Sequence, residues 1–196
     1  MKLHFTAGLI LVFALTAFSQ NALTVEELSV KTKAFKNPQN YLVNYDKTKN
    51  QTSVIYGAKE PIKGATTYLF YGSLISFSIG FDFSGQRFDK AVENYNLVFY
   101  FLDKSDLDLT KNQSISILVQ EHQFNISGGI FKDVPGVGLF GKKKNIKTLT
   151  FRIKHDDLQL ISLAPEVEIS LDSHNYKLNR KQHQVFKDIV SVSKIN

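Results

Sequence analysis

The stretch that decides the fold is ISFSIGFDFSG, Ile75 to Gly85. Ile75, Phe77, Ile79, Phe81 and Phe83 alternate with Ser76, Ser78, Gly80, Asp82 and Ser84. Successive side chains of a β-strand point to opposite faces, so this two-residue period predicts one long, half-buried strand. Gly72 and Gly80 are expected to mark a bend or bulge where such a strand curves around its core.

Working outward, LVFYFL (Leu97 to Leu102) is apolar on both faces and bounded by polar residues, the pattern of a central strand covered on both sides. Ser114 to Gln120 and Gln123 to Ser127 read as further strands, and the sheet is expected to resume where Leu149, Phe151 and Ile153 alternate with Thr148, Thr150, Arg152 and Lys154. Val167, Ile169 and Leu171 form another strand, continued as a hairpin by Tyr176 and Leu178. On the N-terminal side Tyr41, Val43 and Tyr45 alternate, Asp46 to Gln51 turns, and Thr52 to Tyr56 returns.

Helical signals lie at the ends. Thr24-Val-Glu-Glu27 has capping-box spacing and Leu23 with Leu28 that of a hydrophobic staple, so a helix is expected from Val25 to about Lys36, stopped by Asn37-Pro38. Leu28, Val30, Thr32 and Ala34 also alternate, which leaves a strand open there. Asp156-Asp157 before Leu158, Ile161 and Ala164 reads as a short helix closed by Pro165. Asn179 with Gln182 caps a terminal helix whose apolar stripe is Val185, Phe186, Ile189 and Val190. The expected fold is mainly β: an antiparallel two-layer β-sandwich with a short N-terminal helix and a C-terminal helix packed on the sheet.

Residues 1–19 have the pattern of a secretory signal peptide: Lys2, the uncharged apolar run Phe5 to Phe18, and the small-x-small site Ala17-Phe18-Ser19. The run is short for a membrane span and no comparable run follows, so a single domain over 20–196, without a transmembrane segment, is expected in the periplasm or outside the cell. Cysteine is absent, which excludes a thiol nucleophile and a lipid-modified cysteine and favours a bacterial exported protein over a disulfide-built one. Removing Lys2 with the leader lowers the net charge from +6 to +5, a balance that suits anionic surfaces.

Most catalytic chemistry lacks its residues. In GVGLFGKK, Gly136, Gly141 and Lys142 have phosphate-loop spacing, but Lys143 replaces the magnesium-binding hydroxyl and a strand, not a helix, is expected next. His122, His155, His174 and His183 have no metal-site spacing, and a solvated turn accounts for His155 beside Asp156 and Asp157. Asp103, Asp106 and Asp108 lack the glycine and terminal glutamate of a calcium loop. Ser73 after Gly72 is no nucleophile elbow, and Glu93, Asp103, Glu121 and Asp133 are scattered carboxylates of the kind a hydrolase could pair in space.

One segment has the makings of a contact surface. Val137, Leu139 and Phe140 at a glycine-rich tip, with Lys142, Lys143, Lys144 and Lys147 following, combine apolar groups with positive charge. The expectation is a non-enzymatic exported binding or structural module that needs no cofactor and touches a protein, a glycan or an anionic envelope surface rather than nucleic acid. The alternative is a carrier holding an apolar small molecule in a curved-sheet cavity; a hydrolase with scattered carboxylates ranks behind both.

Overall fold

The computed structural model describes residues 22–33, 41–57, 74–102, 113–137, 143–171 and 174–194. In chain order these form β1 (Leu23–Thr24), α1 (Val25–Lys33), β2 (Tyr41–Asp46), β3 (Gln51–Gly57), β4 (Leu74–Ser84), β5 (Arg87–Phe88), β6 (Asn94–Leu102), β7 (Gln113–Val119), β8 (His122–Val137), β9 (Lys143–Lys154), α2 (His155–Leu163), β10 (Glu168–Leu171), β11 (His174–Lys177) and α3 (Arg180–Val192). Residues 1–19, expected to be a signal peptide, Gly72, Ser73 and Asp103 to Asp108 lie outside the described residues.

Nine strands join in the order β11-β10-β7-β8-β9-β6-β4-β3-β2, every neighbour antiparallel. The alternating stretch that opened the analysis is β4, and Phe77, Ile79 and Phe81 are buried on its inner face. Gly80 is not a bulge: it pairs in register with Ile55 and Asn96, and the irregularity in the β4–β6 ladder falls between Leu74 and Ser76. β6 is central as expected, with Tyr95, Leu97, Phe99 and Phe101 buried, but its other face is only half-buried at Asn96, Val98 and Tyr100. The helices contribute their apolar stripes to the inner face: Phe186 of α3 stacks on Phe77 at 5.4 Å, and Leu158 and Ile161 of α2 join the same cluster, while Ser78 and Thr148, which flank β6 on the other face, are buried as well.

The longest strand makes the second layer. β8 pairs with β7 up to Gly129 opposite Gln113, then with β9 from Ile130 opposite Thr150. At the change of partner Gly128 takes φ 78°, a left-handed conformation that glycine adopts without steric cost. The β7 ladder shifts register between Gln113 and Ile115 at the same place, so the sheet turns a corner there, as strands shared between two layers do. Both arms bury their inner faces in one cluster that holds Ile115, Ile117, Ile169 and Leu171 together with Phe77, Phe99 and Phe151.

The end helices form for local reasons legible in the chain. Glu27 N donates to Thr24 Oγ1 (3.2 Å) and Thr24 N to Glu27 Oε2 (2.7 Å), which closes the capping box and decides α1 as a helix over the alternating reading. Leu28 is then fully buried, while β1 straps the segment to β5. Asn179 Oδ1 accepts from the amides of Lys181 and Gln182 (2.9 and 3.0 Å), and Gln182 returns a bond to Asn179 N (2.9 Å). The next turns place Val185, Phe186, Ile189 and Val190 in the core.

Candidate functional site

The segment singled out for its glycines and lysines is not a loop interrupting the sheet. Gly128 to Val137 belongs to β8 and Lys143 onward to β9, and the two pair at eight consecutive positions, from Ile130 opposite Thr150 to Val137 opposite Lys143. Gly129, opposite Gln113, and Gly136, opposite Lys144, are strand residues of the two ladders. At Gly129 a Cβ would stand 2.7 Å from the Phe151 ring, so the missing side chain makes room for a core aromatic. In GVGLFGKK, Gly136 and Val137 end β8 and Lys143 opens β9, so the segment leads into a strand and not into the helix a phosphate loop needs.

Lys143 and Lys144 are paired in the ladder, opposite Val137 and Gly136, and Lys147 lies on the side of β9 that carries Leu149, Phe151 and Ile153, with Thr148, Thr150 and Arg152 on the other. Val137 is at the last paired position of β8, opposite Lys143. Leu139, Phe140 and Lys142, in the tip 138–142, lie outside the described residues. Lys147 stands directly opposite Asp133, and Lys132 stands opposite Thr148, whose hydroxyl donates to the Lys132 carbonyl at 3.2 Å.

Elsewhere the polar side chains are arranged for structure. Tyr95 is fully buried; its hydroxyl lies 3.0 Å from His155 Nδ1 and 2.5 Å from Ser193 Oγ, and Ser193 Oγ donates to the Val190 carbonyl at 2.9 Å. His155 is therefore not a solvated turn residue but the first residue of α2, joined to β6 and to the end of α3. Burial raises the Tyr95 phenol above its ordinary pKa, with the Ser193 bond opposing. His183 Nε2 bonds the Ile161 carbonyl at 2.9 Å and ties α3 to α2.

A second polar cluster lies where α3 crosses the β2–β3 hairpin. Asp188 is 6% exposed and accepts from Gln184 Nε2 at 2.7 Å, while its other oxygen, Oδ2, has no hydrogen-bond partner among the described residues. Tyr41 stacks on Tyr56 with centroids 3.9 Å apart, and burial, then the Asp188 carboxylate, then Tyr56 push its phenol far up. No sequence signal marked Asp188, since one acid in an amphipathic helix reads as solvated.

The carboxylates considered for hydrolysis do not share an element: Glu93 precedes β6, Glu121 is in the β7–β8 turn and Asp133 is on β8. Glu93 does border an open groove of about 530 Å³, lined by residues 82 to 94 and Arg152, so that the acids Asp82, Asp89 and Glu93 and the bases Arg87, Lys90 and Arg152 are all in its lining. Asp82 is already engaged there, accepting from Ser53 Oγ (2.6 Å) and Asn96 Nδ2 (3.2 Å). Among the described residues no group of three His, Asp or Glu side chains gathers as a metal-ligand set, and no helix is long and apolar enough to cross a membrane. No protein-family model, curated protein or solved structure matches the chain.

Proposed function

We propose that this protein is an exported, non-enzymatic binding or structural module of the cell envelope or extracellular space, which meets an anionic surface, a glycan or a protein partner through the β8–β9 hairpin. The observation that carries the reading is the eight-position ladder behind the 138–142 tip. Cations and apolar groups presented from a paired arm lose less conformational freedom on contact than the same groups on a free loop.

The carrier reading has less support. The apolar face of β4 that would line a cavity is engaged in ring contacts, Phe77 with Phe186 and Phe99, and Phe81 with Phe88 and Tyr95. The hydrolytic reading would need Glu93, Glu121 or Asp133 to converge, and they sit on separate segments.

The test replaces Lys142, Lys143 and Lys144 together by Ser in the chain beginning at Gln20. Salt-sensitive sedimentation with envelope fractions should be abolished while the melting temperature stays unchanged. Undiminished binding by a folded triple variant would refute the proposal.

A further inference from the structure

We infer that the groove where β4 and β6 part is a binding site for a neutral saccharide segment, a role separate from the contact proposed for the β8–β9 hairpin. β4 pairs with β6 from Leu74 to Gly80 and with β3 on to Ser84, whereas the β6–β9 ladder reaches Asn94 opposite Lys154. Residues 85–93 bridge the two strand ends, and the groove they border measures about 530 Å³, within the range of small-molecule sites.

Its frame is fixed from three sides. Gly85 N donates to the Asn50 carbonyl (2.8 Å) and the Gly85 carbonyl accepts from Thr52 Oγ1, both in the β2–β3 hairpin. The Gln86 carbonyl accepts from Val25 N (3.1 Å) at the start of α1, and the Glu93 carbonyl from His155 N (2.8 Å) at the start of α2. A wall held in this way is in place before a ligand arrives, so less freedom is lost on binding. Asp82 is likewise pre-set: Oδ1 accepts from Ser53 Oγ (2.6 Å) and Oδ2 from Asn96 Nδ2 (3.2 Å), and each oxygen has a second lone pair to offer a ligand hydroxyl. Arg152, opposite Asn96 in the β6–β9 ladder, is exposed and brings a planar fork of donors to the same lining.

The lining selects the chemistry of the ligand. The acids Asp82, Asp89 and Glu93 share it with the bases Arg87, Lys90 and Arg152, so neither a polyanion nor a polycation meets a field of one sign. The charges suit instead a ligand dense in groups that both donate and accept, as sugar hydroxyls do: the carboxylates accept from them, and the guanidinium and ammonium groups donate to them. Phe83, half-buried and in ring contact with Phe88 at 5.2 Å, adds an apolar patch against which the C–H face of a sugar ring can rest. An apolar small molecule would have to strip water from the charged rim without replacing its hydrogen bonds.

The experiment titrates the chain beginning at Gln20 with chitotriose, cellotriose and maltotriose as neutral probes and trigalacturonate as an acidic one, by isothermal titration calorimetry. At least one neutral trisaccharide should bind, with little dependence on salt. Arg152→Gln and Asp82→Asn should each weaken that binding roughly 10- to 100-fold, since each removes hydrogen bonds to a charged group. Lys181→Gln, on the exposed side of α3, should leave it unchanged. Melting curves report whether each variant folds, and Arg152→Gln decides alone if Asp82→Asn, which also weakens the bonds from Ser53 and Asn96, unfolds.

Binding of none of the three neutral probes would overturn the inference. Binding of the acidic probe alone, lost at high salt, would overturn the neutral ligand in favour of net charge. Neutral binding unchanged in a folded Arg152→Gln protein would overturn the groove; if the Lys142, Lys143 and Lys144 triple abolished it instead, the saccharide would belong to the hairpin and the proposed function would stand. Neutral binding lost with Arg152→Gln and kept in the triple would support the groove whatever the hairpin meets.

Discussion

Replacing Gly80 by Ala tests the register of the central sheet at its tightest point. A Cβ built there would stand 2.3 Å from the Val54 carbonyl oxygen, 3.1 Å from Ile55 Cα and 3.3 Å from Ile55 Cγ1. An ordinary contact begins near 3.4 Å, so the β3 backbone would have to retreat by about 1 Å. It cannot do so cheaply, because β3 is paired on one side with β2 and on the other with β4 over seven positions. Overpacking a filled interior costs about 1–3 kcal/mol, and a backbone obstacle belongs at the upper end. Exchanging glycine for alanine within a strand returns roughly 0.5–1 kcal/mol. The net expectation is a loss of about 2 kcal/mol, or on the order of 4–8 °C in melting temperature for a domain of this size.

Urea unfolding followed by far-ultraviolet circular dichroism, on the chain beginning at Gln20, reads the effect directly. Gly128→Ala is the internal comparison: its Cβ meets nothing within 4 Å, and only the positive φ opposes it, at a cost of about 1 kcal/mol. A Gly80→Ala protein as stable as wild type, or less affected than Gly128→Ala, would refute the β3–β4 register described above.

Asn179→Ala removes the cap of α3 and should cost about 1 kcal/mol in the same assay, whereas Asn179→Asp should restore most of it. Asp188→Asn keeps the bond from Gln184 while discharging a buried carboxylate, and should raise stability by about 1 kcal/mol; a comparable loss would mean that the charge is compensated. Tyr41 and Tyr95, with phenols pushed up by burial, should stay protonated while exposed tyrosines ionise near pH 10, as alkaline absorbance titration would read. Since the unfolded chain releases those two protons near pH 10 and the fold retains them, stability should fall as pH rises above about 10; Tyr41→Phe and Tyr95→Phe should flatten that slope, and variants as steep as wild type would count against it.

The strands and capped helices were legible because their signals are local. The alternation of β4, the Tyr41–Tyr56 hairpin and both capping boxes needed no partner to be recognised. What escaped depends on neighbours distant in sequence. The glycine-bearing segment gave no strand pattern of its own, yet Gly129 pairs with β7 and Gly136 with β9, and Phe151 fills the space over Gly129. The two-residue strands β1 and β5 are too short for any periodicity, and exist because they pair with each other. The candidate site was found as a set of residues, but its geometry was not. Seven neighbouring residues looked like one patch, whereas Val137, Lys143, Lys144 and Lys147 are ladder positions of two paired strands. Tyr95, His155 and Ser193 are too far apart in sequence for any spacing rule to unite them.

The core is closed by the last thirteen-residue helix, whose Phe186, Ile189 and Val192 are fully buried against strands completed long before. On a ribosome adding about 5–20 residues per second, β4, which ends at Ser84, would wait on the order of 5–20 s for the Phe186 ring that covers it. Through that interval the inner face of β4 lacks the ring that covers Phe77, and the fold closes only after α3 has been made.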